Sequence, residues 1–129
     1  MLKSGILNPD LNSLLGRVRH TNTLVISDRG FPFWPMIETV DLSLVDDVPT
    51  VLQALKAITE YYSYDQAFMA KEFLAVNTEA TKQAFTAAFG AIPVTYEAHV
   101  EFKKRVPNAI GLIRTGDTVQ YANMILVSG

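Results

Sequence analysis

The hydrophobic pattern of this chain consists of two kinds of stretch that follow one another. In four stretches the apolar residues recur every three or four positions, which predicts amphipathic helices. These helices are predicted over residues 8–19, 48–58, 77–89 and 97–105. Start and stop signals support them, for example the Asn8-Pro9 pair that opens the first helix and Gly90 after the third.

The remaining apolar stretches are short and rich in β-branched residues, which is typical of strands buried on both faces. They lie at residues 23–27, 37–44, 92–96, 109–114 and 121–127. Residues 64–74 fit either a helix or a strand, and we favour a strand because it preserves the alternation of layers. Residues 115–120 are few enough to join the last two strands as an antiparallel hairpin.

The pattern therefore predicts a single α/β domain over residues 1–129. We expect a layered sandwich with a mostly parallel central sheet, helices on both of its faces and a C-terminal antiparallel hairpin. The most informative stretch is residues 20–32, HTNTLVISDRGFP, in which a buried strand ends at Asp28 before Gly30 and Pro32. An α/β protein usually opens its ligand crevice at such a strand end, so we expect Asp28 to face a ligand.

Composition narrows the classes of function. Hydrophobic residues make up 49% of the 129 residues, which exceeds the need of a lone small monomer, so we expect part of this surplus at subunit contacts. A net charge of −2 with scattered basic residues argues against nucleic acid as a partner. The absence of cysteine excludes disulfides and thiolate chemistry. No stretch approaches the roughly eighteen apolar residues of a membrane span, and the N-terminus lacks the pattern of a secretion signal. We therefore expect a cytoplasmic protein that does not insert into membranes.

The sequence offers few familiar catalytic motifs. It contains neither a glycine-rich phosphate loop nor the G-x-S-x-G turn of serine hydrolases. What remains is a set of polar residues in three segments, each near a predicted strand end or on one helix face. These residues are His20 and Asp28, then His99 and Lys103 four positions apart, then Tyr121 and Asn123 at the start of the last strand. Taken singly, residues of these types are more often surface or packing residues.

Their arrangement in seven motifs is far more specific. The motifs are Gly5-Ile6-Leu7-Asn8, His20-Thr21-x-Thr23-Leu24-Val25, Asp28-x-Gly30-x-Pro32, Ile37-x-x-Val40-Asp41, His99-x-x-Phe102-Lys103, Ile113-Arg114-Thr115-Gly116 and Tyr121-Ala122-Asn123-x-Ile125-Leu126. In their order and spacing the chain resembles the D-ribose pyranase and L-fucose mutarotase family, also called RbsD/FucU, over nearly its whole length. The versions of the histidine and tyrosine motifs are closer to the ribose pyranase branch.

This resemblance implies a sugar ring isomerase without cofactor or metal. Such an enzyme opens a cyclic hemiacetal and recloses it as the other anomer or the other ring size. The expected substrate is D-ribose. The resemblance implies that His20 is the acid/base residue and that the sugar is bound by Asp28, His99, Lys103, Tyr121, Ala122 and Asn123. It also implies ring-shaped homo-oligomers such as octamers or decamers. Histidine suits the task because it ordinarily titrates near pH 6.5.

Three alternatives stay open at this point. The first is a non-catalytic sugar-binding accessory protein of a sugar uptake system, the second a fucose-type mutarotase, and the third an isomerase of another small carbonyl compound. Arg29 and the aromatic residues 31–34 depart from the ribose branch. We favour a subunit contact over sugar stacking as the role of these aromatic residues.

Geometry adds a constraint that the resemblance does not contain. If residues 21–28 are extended, His20 and Asp28 are about 26 Å apart, far more than one pentose spans. We therefore predict that His20 enters the site of a neighbouring subunit.

Overall fold

In a computed structural model, which describes all residues from 1 to 129, the chain forms six strands, five α-helices and one 3₁₀ turn. In chain order these are α1 (Pro9–Arg17), β1 (Thr23–Ser27), β2 (Glu38–Asp41), α2 (Val51–Thr59), β3 (Tyr64–Ala70), α3 (Lys71–Val76), α4 (Glu79–Phe89), β4 (Val94–Glu97), α5 (His99–Arg105), the 3₁₀ turn (Val106–Asn108), β5 (Gly111–Arg114) and β6 (Met124–Ser128). None of the helices is long and apolar enough to cross a membrane.

All six strands join one sheet in the order β2-β5-β1-β6-β3-β4. The pairs β1–β5, β2–β5 and β3–β4 are parallel, whereas β6 is antiparallel to both of its neighbours, β1 and β3. Five strands therefore run in one direction and only β6 runs against them. The predicted α/β fold with a mostly parallel sheet is confirmed.

The predicted C-terminal hairpin, however, is wrong, because β1 lies between β5 and β6. The connection between them crosses the end of β1 instead of turning back on β5. Its polar groups explain this path: the backbone N–H and the hydroxyl of Thr115 both donate to the carbonyl of Ser27, at 3.0 and 2.8 Å. The N–H of Gly116 donates to the carbonyl of Pro49 at 3.0 Å. A connection short enough for a hairpin is thus held across a neighbouring strand.

The caps at Asn8 and Gly90 agree with the sequence, whereas several element boundaries differ from those predicted. Asn8 caps α1 by accepting the N–H of Leu11 at 2.9 Å, and Gly90 ends α4 with a φ of 59°. The strand expected over residues 64–74 ends at Ala70, and the short helix α3, which buries Phe73, follows it. Residues 121–123 precede β6 instead of belonging to it.

The sheet is covered on both faces, as predicted. Leu24 and Ile26 of β1 belong to the larger core cluster, which also contains the buried residues of α1, α2 and α4, whereas Val25 between them belongs to a smaller cluster. That smaller cluster is closed by Phe102 of α5 and by Phe31. The smaller cluster therefore rests on one short helix and one loop.

This topology determines where a site can form. The five parallel strands end at one edge of the sheet, and β6 begins at that same edge. Residues that follow β1 therefore meet residues that precede β6. His20 precedes β1 and so lies at the opposite edge.

Candidate active site

A cleft of about 470 Å³ opens at the edge where the parallel strands end. Its walls come from residues 28–32 after β1, from His99 at the start of α5, and from residues 117–121 together with Asn123 before β6. Four of the residues selected from the sequence, from three distant segments, therefore line one space: Asp28, His99, Tyr121 and Asn123.

Asp28 follows β1 directly and is held by both its backbone and its side chain. Its N–H donates to Oδ1 of Asn123 at 2.8 Å, and its own Oδ1 accepts the N–H of Gly30 at 3.0 Å. Burial raises the pKa of Asp28 above its usual value, and the nearby Asp117 adds a smaller rise. Hydrogen bonds from the backbone of Gly30 and Phe31 and from Asn123 offset part of this effect. The carboxyl group thus accepts a proton more readily than an ordinary aspartate.

His99 lies among aromatic rings at the start of α5. Its imidazole stacks on Phe102 with ring centroids 5.9 Å apart, and it meets Tyr121 edge-on at 5.1 Å and Phe31 edge-on at 6.2 Å. Its backbone N–H donates to both carboxyl oxygens of Glu72, each at 3.1 Å. These contacts fix the position of the ring relative to the cleft.

The same surroundings favour the uncharged form of the His99 imidazole. Burial lowers its pKa below the usual value and the charge of Lys103 lowers it further, whereas Glu72 and Asp28 oppose this shift in part. The Nδ1 atom is shielded and has no hydrogen-bond partner within the chain. His99 as a residue nevertheless lines the cleft.

The turn before β6 directs alternate residues to opposite sides. Tyr121 has a positive φ of 57° and lines the cleft together with Asn123. Ala122 between them is fully buried in the larger core cluster. The predicted residue Ala122 is therefore not part of the cleft wall, whereas its neighbours present a hydroxyl and an amide.

Besides Ala122, two more predicted residues, Lys103 and His20, lie outside the cleft wall. Lys103 is partly buried one helical turn after His99, and it acts on that residue through its charge. His20 is exposed in the turn before β1, at the far edge of the sheet. The structure thus does not bring His20 and Asp28 together within one chain.

Arg114 supports the cleft in a way that the sequence did not reveal. Its guanidinium donates to the carbonyl oxygens of Asp28 at 3.4 Å, of Arg29 at 3.2 Å and of Pro32 at 3.2 Å. One side chain at the end of β5 therefore holds the whole loop after β1. The motif that contains Arg114 was recognised in the sequence, but nothing in its spacing indicated this contact.

Asp117 is the second residue that the sequence interpretation missed. It was placed in a hairpin turn, where an aspartate is normally exposed, yet it is only 3% exposed and lines the cleft. The lining residues 29–32 and 118–120 were not selected as site residues either.

The aromatic residues of the loop 31–34 divide into two groups. Phe31 is buried and packs against Phe102 at 6.1 Å and Trp34 at 6.2 Å, so it belongs to the chain's own core. Phe33 points outward and is 70% exposed. A subunit contact, as predicted for this loop, therefore stays a prediction for Phe33.

The cleft offers hydrogen-bonding groups beside aromatic surface, which is the combination that a sugar requires. The carboxyl of Asp28, the imidazole of His99, the hydroxyl of Tyr121 and the amide of Asn123 are placed for several ligand hydroxyls. No group of three or more histidine, aspartate and glutamate side chains lies close enough to share a metal ion.

Comparison with known proteins agrees with this architecture. The model of the RbsD / FucU transport protein family matches residues 1–129, and the chain belongs to this family. It is 39% identical to a protein of Geobacillus kaustophilus named D-ribose pyranase, over the whole chain and 94% of that protein. A protein of the same name from Geobacillus thermodenitrificans is 36% identical, over the whole chain and 97% of the relative.

Solved structures show the same fold. Bacillus subtilis RbsD, solved in complex with D-ribose, superposes with a TM-score of 0.92 at 32% identity, covering 100% of this chain and 98% of that one. The fucose mutarotase of Streptococcus pneumoniae, solved with L-fucose, has a TM-score of 0.80 at 21% identity, covering 99% and 98%. The second likeness concerns the fold alone.

Proposed function

We propose that this protein is a cytoplasmic D-ribose pyranase, which interconverts the pyranose and furanose forms of D-ribose. The observation that carries the proposal is the convergence of Asp28, His99, Tyr121 and Asn123 on one cleft. Its volume of about 470 Å³ is typical of small-molecule sites. Relatives named D-ribose pyranase at 39% and 36% identity support the choice of ribose.

The reaction suits these residue types. It removes one proton from the anomeric hydroxyl and delivers one to the ring oxygen, without breaking a C–H bond and without a change of oxidation state. His20 performs this transfer in our proposal, because histidine gives and takes protons near neutral pH. Asp28, His99, Tyr121 and Asn123 hold the sugar hydroxyls, and Lys103 acts through its charge on His99. Ala122 packs in the core between Tyr121 and Asn123.

His20 reaches the cleft from a second copy of the chain. The strand β1 alone spans roughly 16 Å between the turn of His20 and Asp28. His20 is exposed at its own edge of the sheet and is therefore accessible to a neighbour. Each site then combines the cleft of one chain with His20 of the next.

Exposed apolar side chains beside the cleft support this assembly. Phe33 follows the lining residue Pro32, Val100 follows His99, and Leu44 and Val45 precede Asp46, which pairs with Arg29 of the cleft wall. These four side chains are between 59% and 77% exposed. Apolar surface of this kind marks protein contacts, so we propose a ring-shaped homo-oligomer, an octamer or decamer, of the single domain 1–129.

Magnetisation-transfer NMR on D-ribose tests the proposal. We expect the protein to accelerate pyranose–furanose exchange, and His20→Ala to reduce this acceleration by about 10²-fold or more while D-ribose still binds, since acid/base catalysis contributes about 10²- to 10⁴-fold. Lys56→Ala, an exposed change on α2, is the matched control and should leave exchange unchanged.

The outcomes separate the remaining functions. Binding of D-ribose without any acceleration over buffer would indicate a sugar-binding accessory protein. Faster exchange of L-fucose than of D-ribose would indicate a fucose-type mutarotase instead.

A further inference from the structure

Asp117 is a buried acidic residue at the cleft that the proposed reaction does not use. Its side chain is 3% exposed, and both of its carboxyl oxygens are occupied. Oδ2 accepts the N–H of Val51, the first residue of α2, at 2.8 Å, and Oδ1 accepts the N–H of Val119 at 2.8 Å. One side chain therefore joins the start of a helix to the segment that leads to Tyr121.

The backbone of Asp117 is tied to the opposite wall of the cleft. Its carbonyl accepts the N–H of Arg29 at 3.0 Å, and its N–H donates to the hydroxyl of Thr115 at 3.2 Å. Thr118 next to it donates its N–H and hydroxyl to Oδ1 of Asp47, at 2.9 and 2.8 Å. Hydrogen bonds of Asp117 and Thr118 therefore connect the segment before β6 to Arg29 and to Asp47.

Capping of α2 explains only one carboxyl oxygen of Asp117, the Oδ2 that accepts the N–H of Val51, because Thr50 and Gln53 pair with each other. Thr50 accepts the N–H of Gln53 at 3.1 Å, and Gln53 accepts the N–H of Thr50 at 2.9 Å, which is a complete capping box. The contact that remains distinctive is the one to Val119, two residues before Tyr121.

We propose that Asp117 is a positioning residue of the sugar site: by holding Val51 and Val119 together, its carboxyl fixes residues 119–123 and thereby sets Tyr121 and Asn123 against the sugar. This inference rests on the proposed function. Asp117 touches no reacting atom, so its effect falls on sugar binding more than on proton transfer. A buried carboxyl with two donors to satisfy cannot move without leaving an N–H unpaired, which makes the positioning rigid.

The test compares three variants of Asp117 with a helix-cap variant. Asp117→Asn keeps the shape of the side chain but loses one acceptor. Asp117→Ser leaves room for water, and this variant is used if Asp117→Asn does not fold. Asp117→Glu retains both acceptor oxygens. Thr50→Ala weakens the same end of α2 without touching the bond to Val119.

We expect Asp117→Asn or Asp117→Ser to raise KM for D-ribose about tenfold and to lower kcat by less than about threefold, because ground-state and transition-state binding are lost together. Asp117→Glu should restore KM toward the value of the unmodified protein. Thr50→Ala should lower Tm about as much as Asp117→Asn does, but it should leave KM unchanged. A KM that stays within about twofold in both neutral variants, or that rises equally in Thr50→Ala, overturns the proposal.

A second measurement does not depend on sugar. We expect the backbone amide NMR signals of residues 119–123 to shift and broaden in Asp117→Asn but to stay unchanged in Thr50→Ala. If the unmodified protein neither binds nor isomerises sugar, the proposed function fails, and the amide signals still decide whether Asp117 fixes this segment.

Discussion

At the scale of single residues, burial in the cleft favours the uncharged forms of Asp28 and His99. Burial raises the pKa of Asp28 and lowers the pKa of His99, since a buried charge loses its hydration. A site for an uncharged sugar benefits from this, because hydroxyl groups bind well to groups that both donate and accept. The same burial makes the ionised Asp28 unfavourable for folding, so function and stability oppose each other here.

Asp28→Asn should therefore remove sugar binding and stabilise the fold at neutral pH. Because the pKa of Asp28 is higher in the folded than in the unfolded chain, its contribution to stability is fully present below the unfolded pKa of about 3.9 and is lost as pH rises through the folded value. The gain in Tm of Asp28→Asn over the unmodified protein should thus grow from pH 4 to pH 7. Thermal unfolding at both pH values measures this.

Asp65→Asn, an exposed change at the start of β3, is the matched control for this prediction and should show no such growth with pH. A Tm of Asp28→Asn that falls below that of the unmodified protein at pH 7, but not at pH 4, would contradict the argument.

At the scale of elements, the connection between β5 and β6 shapes the cleft more than any helix or strand does. It crosses β1, and Gly116 lies so close to another loop that an added Cβ would clash with the carbonyl oxygen of Val45. A backbone atom cannot move aside as a flexible side chain can. Only glycine therefore permits this contact between the two loops.

Gly116→Ala should cost about 1–3 kcal/mol of unfolding free energy, the usual range for overpacking, and weaken sugar binding. Gly16→Ala on α1 is the matched control, because its added Cβ meets nothing within 4 Å. That change should stabilise the protein by about 0.5–1 kcal/mol through helix propensity. Urea unfolding of both variants measures the two free energies, and equal effects would refute the role of Gly116.

At the scale of the whole molecule, the sheet separates His20 from the cleft, and the proposal of shared sites follows from that separation. Parallel strands place residues that precede and follow a strand at opposite edges of the sheet. In our proposal a single chain binds a sugar in its cleft but needs a second copy for proton transfer. Activity would then depend on assembly, and binding much less so.

Mixed oligomers test this arrangement. When His20→Ala and Asp28→Asn chains are co-expressed with different affinity tags and purified together, random assembly leaves intact about a quarter of the shared sites. We therefore expect about a quarter of the full exchange rate, although each variant alone is inactive. Co-expression of His20→Ala with the double variant His20→Ala/Asp28→Asn supplies no His20 and should stay inactive. Mixed oligomers without activity would mean that sites are not shared.

The sequence by itself determined most of the elements and four of the residues that line the cleft. Hydrophobic spacing identified every helix except the single turn of α3, and caps such as Asn8 and Gly90 act locally, so no distant contact was needed to predict them. The motifs also selected Asp28, His99, Tyr121 and Asn123, and these residues meet because the ends of the parallel strands and the start of antiparallel β6 lie at the same edge of the sheet.

Only the tertiary structure decided how the last strand is placed and what supports the cleft. The length of residues 115–120 fits a hairpin, but hydrogen bonds of Thr115 and Gly116 to distant carbonyls carry the chain across β1. The burial of Asp117 and the loop contacts of Arg114 depend on the same crossing, which joins segments far apart in sequence. Local sequence patterns cannot predict such partners, because the sequence does not show whether a polar side chain will bind water or a buried N–H group.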